Sequence, residues 1–378
     1  MSTILSVSSV LTYVLYILVA LMVLLFLVMV HEFGHYTAGK ILGFKIEEFS
    51  IGFGPKIFQR KKKNGELFTL RAIPLGGYCA FDGEDLDSKS PTAFNNQKPW
   101  KRLIVLLSGV VFNFLSAVIF SVILLTSIGY EKVEVKRVNP VDASIVPVEC
   151  ELKEGDVIYG VNGVELDFVK DDFYATLVHE YLDSENFNFR DKFVGDDGET
   201  YSKVPFEIER GKQKLTINVI AKQVVDGEDT YWTFVNRYNG EGFEMMQHKT
   251  PFVQALGESW SFSFRWSKKI LIILGDLLTG QIPIKDLGGP VTTIKVMADT
   301  TSQNFSFIWI LIPVIAINLA VFNILPIPSL DGARCVFVII EWIRKKPINR
   351  ELEAKIHAFG LFALLGFVVL VDILHFIL

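Results

Sequence analysis

Residues 10–35 read VLTYVLYILVALMVLLFLVMVHEFGH, and the stretch from Val10 to Val30 carries no charge. A helix rises about 1.5 Å per residue, so about 20 apolar residues cross a hydrocarbon core about 30 Å thick. The run therefore predicts a transmembrane helix, and His31, Glu32 and His35 stand at its end. Ionisable groups in a span are costly and call for a functional explanation. On a helix, residues four apart share a face, so His31 and His35 can grip one metal ion. Neutral imidazoles suit zinc. Glu32 would then lie beside the open position of the ion, able to take a proton from water and pass it to a leaving amine. On an exposed soluble helix the same three residues would be only a polar face, and at the mouth of a span an interfacial cluster. The uncharged run before them favours metal chemistry.

The other apolar runs set the organisation. They lie at Leu103 to Ile128, about Phe305 to Leu325, and about Phe359 to Leu378. With hydrophobic residues at 50% and charged residues at 21%, a pure membrane bundle is excluded. Several spans with a water-exposed domain fit better. A net charge of −5 argues against a nucleic-acid partner. Cys79, Cys150 and Cys335 are far apart in the sequence, so neither a disulfide framework nor a thiolate zinc site is expected. The first run is too long for a signal peptide and lacks its flanking features, so it reads as a retained span.

Charge sets the orientation. Lys40 to Arg102 has 12 Lys/Arg against 7 Asp/Glu, and Glu341 to Lys355 has 5 against 3, whereas Glu131 to Lys249 has 14 against 25. The two basic stretches are expected in the cytoplasm and the acidic one outside. Both termini would then be extracytoplasmic, and HEFGH would lie near the cytoplasmic side. The segment SFSFRWSKKILIILGDLLTG within 252–282 reads as an amphipathic helix on the outer membrane face, because a fifth crossing would spoil this pattern.

A catalytic zinc needs a third protein ligand. Asp331 in NILPIPSLDG (Asn323 to Gly332) lies at the same expected depth as HEFGH. Pro326 and Pro328 break the helix there, and irregular backbone in a membrane is tolerated only against protein or a cavity. A simple helix-ending turn would favour the same residues, but the matching depth favours a ligand.

HEFGH and NILPIPSLDG together resemble the site-2 protease family of intramembrane zinc metalloproteases, peptidase family M50. The bacterial branch that cleaves anti-sigma factors and remnant signal peptides is the most similar. FSIGFGPKIF (49–58), AIPLGGY (72–78), LSGVVFNF (107–114) and LGGPVTTI (287–294) extend the match in order along the chain. The resemblance implies one zinc on His31, His35 and Asp331, with Glu32 as catalytic base. It also implies substrate contacts at Asn323, Pro326, Pro328, Gly76, Gly77 and Tyr78. Asn113 in the second span reads as helix packing. Phe49 to Tyr78 reads as β-hairpins bending at Gly52-x-Gly54 and Gly76-Gly77, associated with the membrane by the same resemblance. A sheet edge there could hold an unwound substrate extended by strand addition.

LKEGDVIYGVNG (152–163) resembles the L-x-x-G-D-x-I-x-x-V-N-G run of PDZ domains, and one such domain is expected at 131–224, with an acidic insertion at 183–201. Its groove could take a peptide strand or a C-terminus, or it could simply exclude large ectodomains. The expected fold class is a polytopic α-helical membrane protein with about four transmembrane helices, a membrane-associated cytoplasmic β-hairpin region and one extracytoplasmic α/β PDZ domain. The expected order is a first span at 1–40, a cytoplasmic hairpin loop at 41–100, a second span at 101–130 and the PDZ domain at 131–224. A linker with interfacial helices at 225–304, a third transmembrane segment with NILPIPSLDG at 305–340 and a basic loop with the fourth span at 341–378 follow. The expected protein is a multi-pass protease of the bacterial inner membrane that cuts trimmed single-span proteins within the lipid bilayer. A catalytically silent scaffold with a PDZ domain and a structural zinc is the alternative. A transporter would require internal repeats, which the sequence lacks.

Overall fold

A computed structural model describes residues 7–84, 88–135, 152–161, 163–165, 192–211, 213–226, 229–234, 243–283 and 288–377. The chain forms two compact units, Met1–Ile123 with Phe252–Leu378, and Leu124–Pro251. The first unit holds α1 (Val7–Leu42), α2 (Pro99–Ile123), α3 (Phe252–Thr279), α4 (Pro290–Gln303), α5 (Ile308–Ile324), α6 (Asp331–Arg344) and α7 (Arg350–Ile377). Among the described residues, Leu11–Leu42, Pro99–Ile128, Phe305–Ile324 and Arg350–Leu374 are long and apolar enough to cross a membrane. These segments overlap the four apolar runs. The helix α3 is not among them. It buries Ala255, Ser259, Phe262 and Ser263, and its Trp260 and Phe264 rings meet Phe114 of α2.

The helix α1 stops at Gly43, whose left-handed φ of 80° lets the Phe44 N–H return to the Gly39 carbonyl at 2.9 Å. The chain then enters β1 (Ile46–Lys61) and β2 (Leu67–Phe81). Gly52, Gly54 and Gly76 also have positive φ. They bend the strands internally rather than joining separate hairpins. As a result, Glu48–Ile51 is paired on both sides, with Leu67–Leu70 and with Gly77–Ala80, while Phe58–Lys61 pairs with Leu67–Leu70. The segment Gly77–Ala80 is thus an outer edge. Glu66 in the connecting turn is almost fully buried and accepts hydrogen bonds from Lys40, Lys62 (2.6 Å) and Asn64 (3.1 Å). Burial alone would raise its pKa, but these partners hold it at about 2.

Phe44, Phe49, Phe81, Phe94, Val105, Leu106, Cys335 and Val338 form one apolar cluster. It joins the end of α1, the small sheet, α2 and α6. Each large side chain buried there stabilises by about 1.5–3 kcal/mol. The cluster brings β2 and the start of α6 to the HEFGH turn.

The sequence reading placed a third transmembrane segment at 305–340 and expected Pro326 and Pro328 to break its helix. In the structure the helix breaks after Ile324 and restarts at Asp331. Leu325, before Pro326, is extended (φ −66°, ψ 144°), as a residue preceding proline prefers. Ser329 has φ 86°, and its N–H donates to His357 Nδ1 at 3.0 Å. The restart is close to α5: a Cβ on Gly332 would lie 2.2 Å from the Ile324 carbonyl oxygen. Further along α6, buried Glu341 is held by Arg102 of α2 at 2.5 Å and by Arg350 at 2.8 Å. Multiple partners offset the cost of burying these charges.

The LGGPVTTI motif opens α4, where Asp372 of α7 accepts from Val291 N, Thr292 N and Thr292 Oγ1 at 3.2, 3.0 and 2.8 Å. Its Leu287 lies outside the described residues.

The second unit is an antiparallel sheet in the order β10-β3-β4-β7-β8-β9, with β5 on β4 and β6 on β7. The strands are β3 (Tyr130–Val135), β4 (Val157–Val161), β5 (Val164–Glu165), β6 (Lys192–Val194), β7 (Thr200–Arg210), β8 (Gln213–Asp226), β9 (Asp229–Phe234) and β10 (Phe243–His248). Ile158, Val161, Val204, Phe206, Ile208 and Val219 are buried in it. Asp156 is fully buried and receives Arg210 Nε and Nη2, both at 2.7 Å. The strands β9 and β10 fall in the stretch read as a linker. They continue the sheet because β9 pairs with β8 and β10 returns to pair with β3 along its whole length. Asn162 of the PDZ-like run, His179 and residues 183–191 of the acidic insertion lie outside the described residues.

Candidate active site

His31 and His35 occupy successive turns of α1 and are buried, at 6% and 7% exposure. Asp331 is the first residue of α6. The Asp331 Oδ2 atom lies 2.9 Å from His31 Nε2 and 3.2 Å from His35 Nε2, and the two Nε2 atoms are 3.1 Å apart. Bonds of about 2.0–2.1 Å to a tetrahedral zinc ion would hold its ligand atoms about 3.3 Å apart. The observed triangle is within a few tenths of an ångström of that spacing. The three residues could therefore hold one metal ion.

The chemistry of the donor set supports the same fit. His35 Nδ1 lies 2.8 Å from the Val105 carbonyl oxygen. A carbonyl only accepts, so Nδ1 carries the hydrogen and Nε2 turns its lone pair towards His31 and Asp331. With His35 neutral, its lone pair and the Asp331 carboxylate converging in a buried place suit a bound cation. Space for the imidazoles comes from Gly109 of α2, where a Cβ would lie 2.6 Å from both His31 Cε1 and His35 Nε2.

Glu32 is half-buried, and its Oε2 accepts the Cys79 N–H at 3.0 Å. The outer edge of the small sheet thus holds this carboxylate beside the imidazole pair. Burial pushes the Cys79 thiol well above its ordinary value.

The remaining residues singled out in the sequence are more dispersed. Asn323 sits in the last turn of α5, half-buried, and its amide makes no hydrogen bond among the described residues. Pro326 is exposed, and Pro328 packs where α7 has Gly360: a Cβ there would meet Pro328 Cβ at 2.3 Å. Gly77 lies against Ser50 and Met29, and Gly76 against the Phe53 ring. The Tyr78 hydroxyl is engaged by Glu48 at 2.9 Å and Arg71 at 2.7 Å.

Four contributors were not singled out for the site: the Val105 carbonyl, the Cys79 N–H, His357 and Asn113. Asn113, read as packing, has its Nδ2 3.3 Å from His31 Nδ1. The available signal was the spacing of Val105, Gly109 and Asn113, four apart on one face of α2.

Two helix-borne imidazoles, a carboxylate closing the set and a second carboxylate beside it define a zinc-dependent peptidase. The chain belongs to peptidase family M50, whose family model matches residues 19–367. Similar proteins include one from Clostridium perfringens, 29% identical over 92% of this chain and 94% of its own. One from Fusobacterium nucleatum is 28% identical over the same shares, and one from Helicobacter pylori 28% identical over 84% and 86%. All three bear the name "Putative zinc metalloprotease". Family and spans together make the chain a multi-pass membrane zinc metalloprotease.

Proposed function

We propose that the protein is an intramembrane endopeptidase. It cuts single-span membrane proteins, such as anti-sigma factors or remnant signal peptides, after a first cleavage has trimmed them. The observation that carries this reading is that Asp331 converges at about 3 Å on His31 and His35, which stand on a helix long and apolar enough to span a membrane. These three residues would hold the zinc. When bound, zinc supplies the Lewis acidity that activates water and polarises the scissile carbonyl.

Glu32 handles the proton. With Oε2 held by Cys79, the carboxylate is oriented to accept a proton from the attacking water and return it to the departing amine nitrogen. A substrate helix hides its amides in i→i−4 bonds and must be unwound first. The edge Gly77–Ala80 receives it as an added strand. Along such an edge, outward-facing groups alternate. Glu32 takes the one at Cys79, and the one at Gly77 is left for the incoming backbone. Asn323, with its uncommitted amide, holds the substrate from the other side of the break at Pro326 and Pro328. Activity takes place near the cytoplasmic face. The second unit, read as a single PDZ domain, binds a peptide end or excludes untrimmed ectodomains.

The test is Glu32→Gln in the full chain, reconstituted with a single-span substrate. The variant is expected to keep its fold and its zinc and to lose cleavage by at least about 100-fold, the scale of general acid–base catalysis. Cleavage at the normal rate overturns the mechanism.

A further inference from the structure

LSGVVFNF was matched as a motif but given no task, and Asn113 within it is fully buried in the second span. Its Nδ2 lies 3.3 Å from His31 Nδ1, while its Oδ1 is buried without a hydrogen-bond partner. This arrangement conflicts with a metal on His31. Nδ2–H can donate to Nδ1 only if Nδ1 is bare, and a neutral imidazole then carries its hydrogen on Nε2. Nε2 is the atom facing Asp331 and His35. As a ligand it must be bare, so Nδ1 must carry the hydrogen and needs an acceptor. Amide oxygen and nitrogen are assigned from the hydrogen-bond network rather than distinguished directly. Turning the Asn113 amide by half a turn puts the orphaned Oδ1 against Nδ1–H.

We propose that Asn113 is a positioning residue that accepts the His31 Nδ1–H through Oδ1 and so fixes the tautomer in which His31 Nε2 binds zinc. The Val105 carbonyl does the same for His35 at 2.8 Å. Gly109 lies midway between them, and no side chain there separates α2 from the rings. One face of α2, at positions 105, 109 and 113, thus forms the outer support of both histidines, which explains the motif. The inference rests on the ligand set proposed above.

The test is zinc affinity, measured by chelator competition on the purified full chain for wild type, Asn113→Asp, Asn113→Leu and Asp331→Ala. Asp is nearly isosteric and only accepts, so Asn113→Asp should bind zinc at least as tightly as wild type. Asn113→Leu should bind roughly 10- to 100-fold more weakly. If Asn113→Asp binds tenfold or more weakly than wild type, Asn113 acts as a donor and the proposal fails, whether or not the leucine variant folds. The proposal also fails if folded Asn113→Leu binds within twofold of wild type. Loss of zinc in Asp331→Ala alongside unaffected Asn113 variants would overturn this inference and leave the ligand set standing. Retention of zinc in Asp331→Ala would overturn the ligand set itself.

Discussion

Glu32 is oriented by a backbone group, the Cys79 N–H, which lies outside the ladder of the small sheet. Proline is tolerated at such edge positions because no ladder bond is lost. Cys79→Pro should therefore keep the sheet and the zinc while freeing the carboxylate. A hydrogen bond to a charged group contributes about 1.5–3 kcal/mol, so cleavage should fall roughly 10- to 100-fold. Cys79→Ser, which keeps the N–H, should stay close to wild type in the same assay. Among single residues, the cluster of His31, His35 and Asp331 was legible because its types and spacing follow from ligand chemistry. The Cys79 N–H and the Val105 carbonyl were not, since backbone groups leave no trace in residue identity. Asn113 was visible as a residue, but its place beside His31 was not, because a polar side chain in a span packs and hydrogen-bonds equally well.

The break between α5 and α6 is the element on which Asp331 depends. Gly332 lets the start of α6 press on the carbonyls of Ile324 and Leu325. Gly332→Val should push α6 away, costing about 1–3 kcal/mol as overpacking does, and zinc affinity should fall with it. Thermal unfolding with and without chelator measures both effects. The turn between β1 and β2 gives a pH prediction. The Glu66 pKa is lowered from 4.5 to about 2, so its contribution to stability is complete above about pH 4.5 and is lost as pH falls towards 2. The melting temperature of wild type should exceed that of Glu66→Gln at pH 6, and the gap should narrow steadily below pH 4.5. Pro326 and Pro328 announced the break in the sequence, but not the helix that restarts at Asp331. The restart as a separate helix follows from tertiary contacts at Glu341, Gly332 and His357, which no local pattern encodes. The apolar helices were legible because length and hydropathy alone decide them. β10 was missed because its pairing with β3 is a long-range choice, whereas β9 pairs locally with β8 across a short turn.

At the scale of the molecule, the charge map assigns Lys63 and Glu199 to opposite sides of the membrane. In a chain without its native cysteines, a cysteine at position 199 should react with a membrane-impermeant maleimide in intact cells. One at position 63 should react only after lysis. Equal labelling of both in intact cells would refute the orientation. The division into two units was legible in the acidic composition of the middle stretch, although its C-terminal boundary was not.

The partners at the metal triangle, His31 and Asp331, are 300 positions apart in the chain. At about 5–20 residues per second, roughly 15–60 s of synthesis separate them. Even then the loop before Asp331 awaits His357 and Gly360 of α7, which are made later still. A half-made chain in the membrane therefore holds HEFGH without the means to cut its neighbours. The order of synthesis serves as a safety catch.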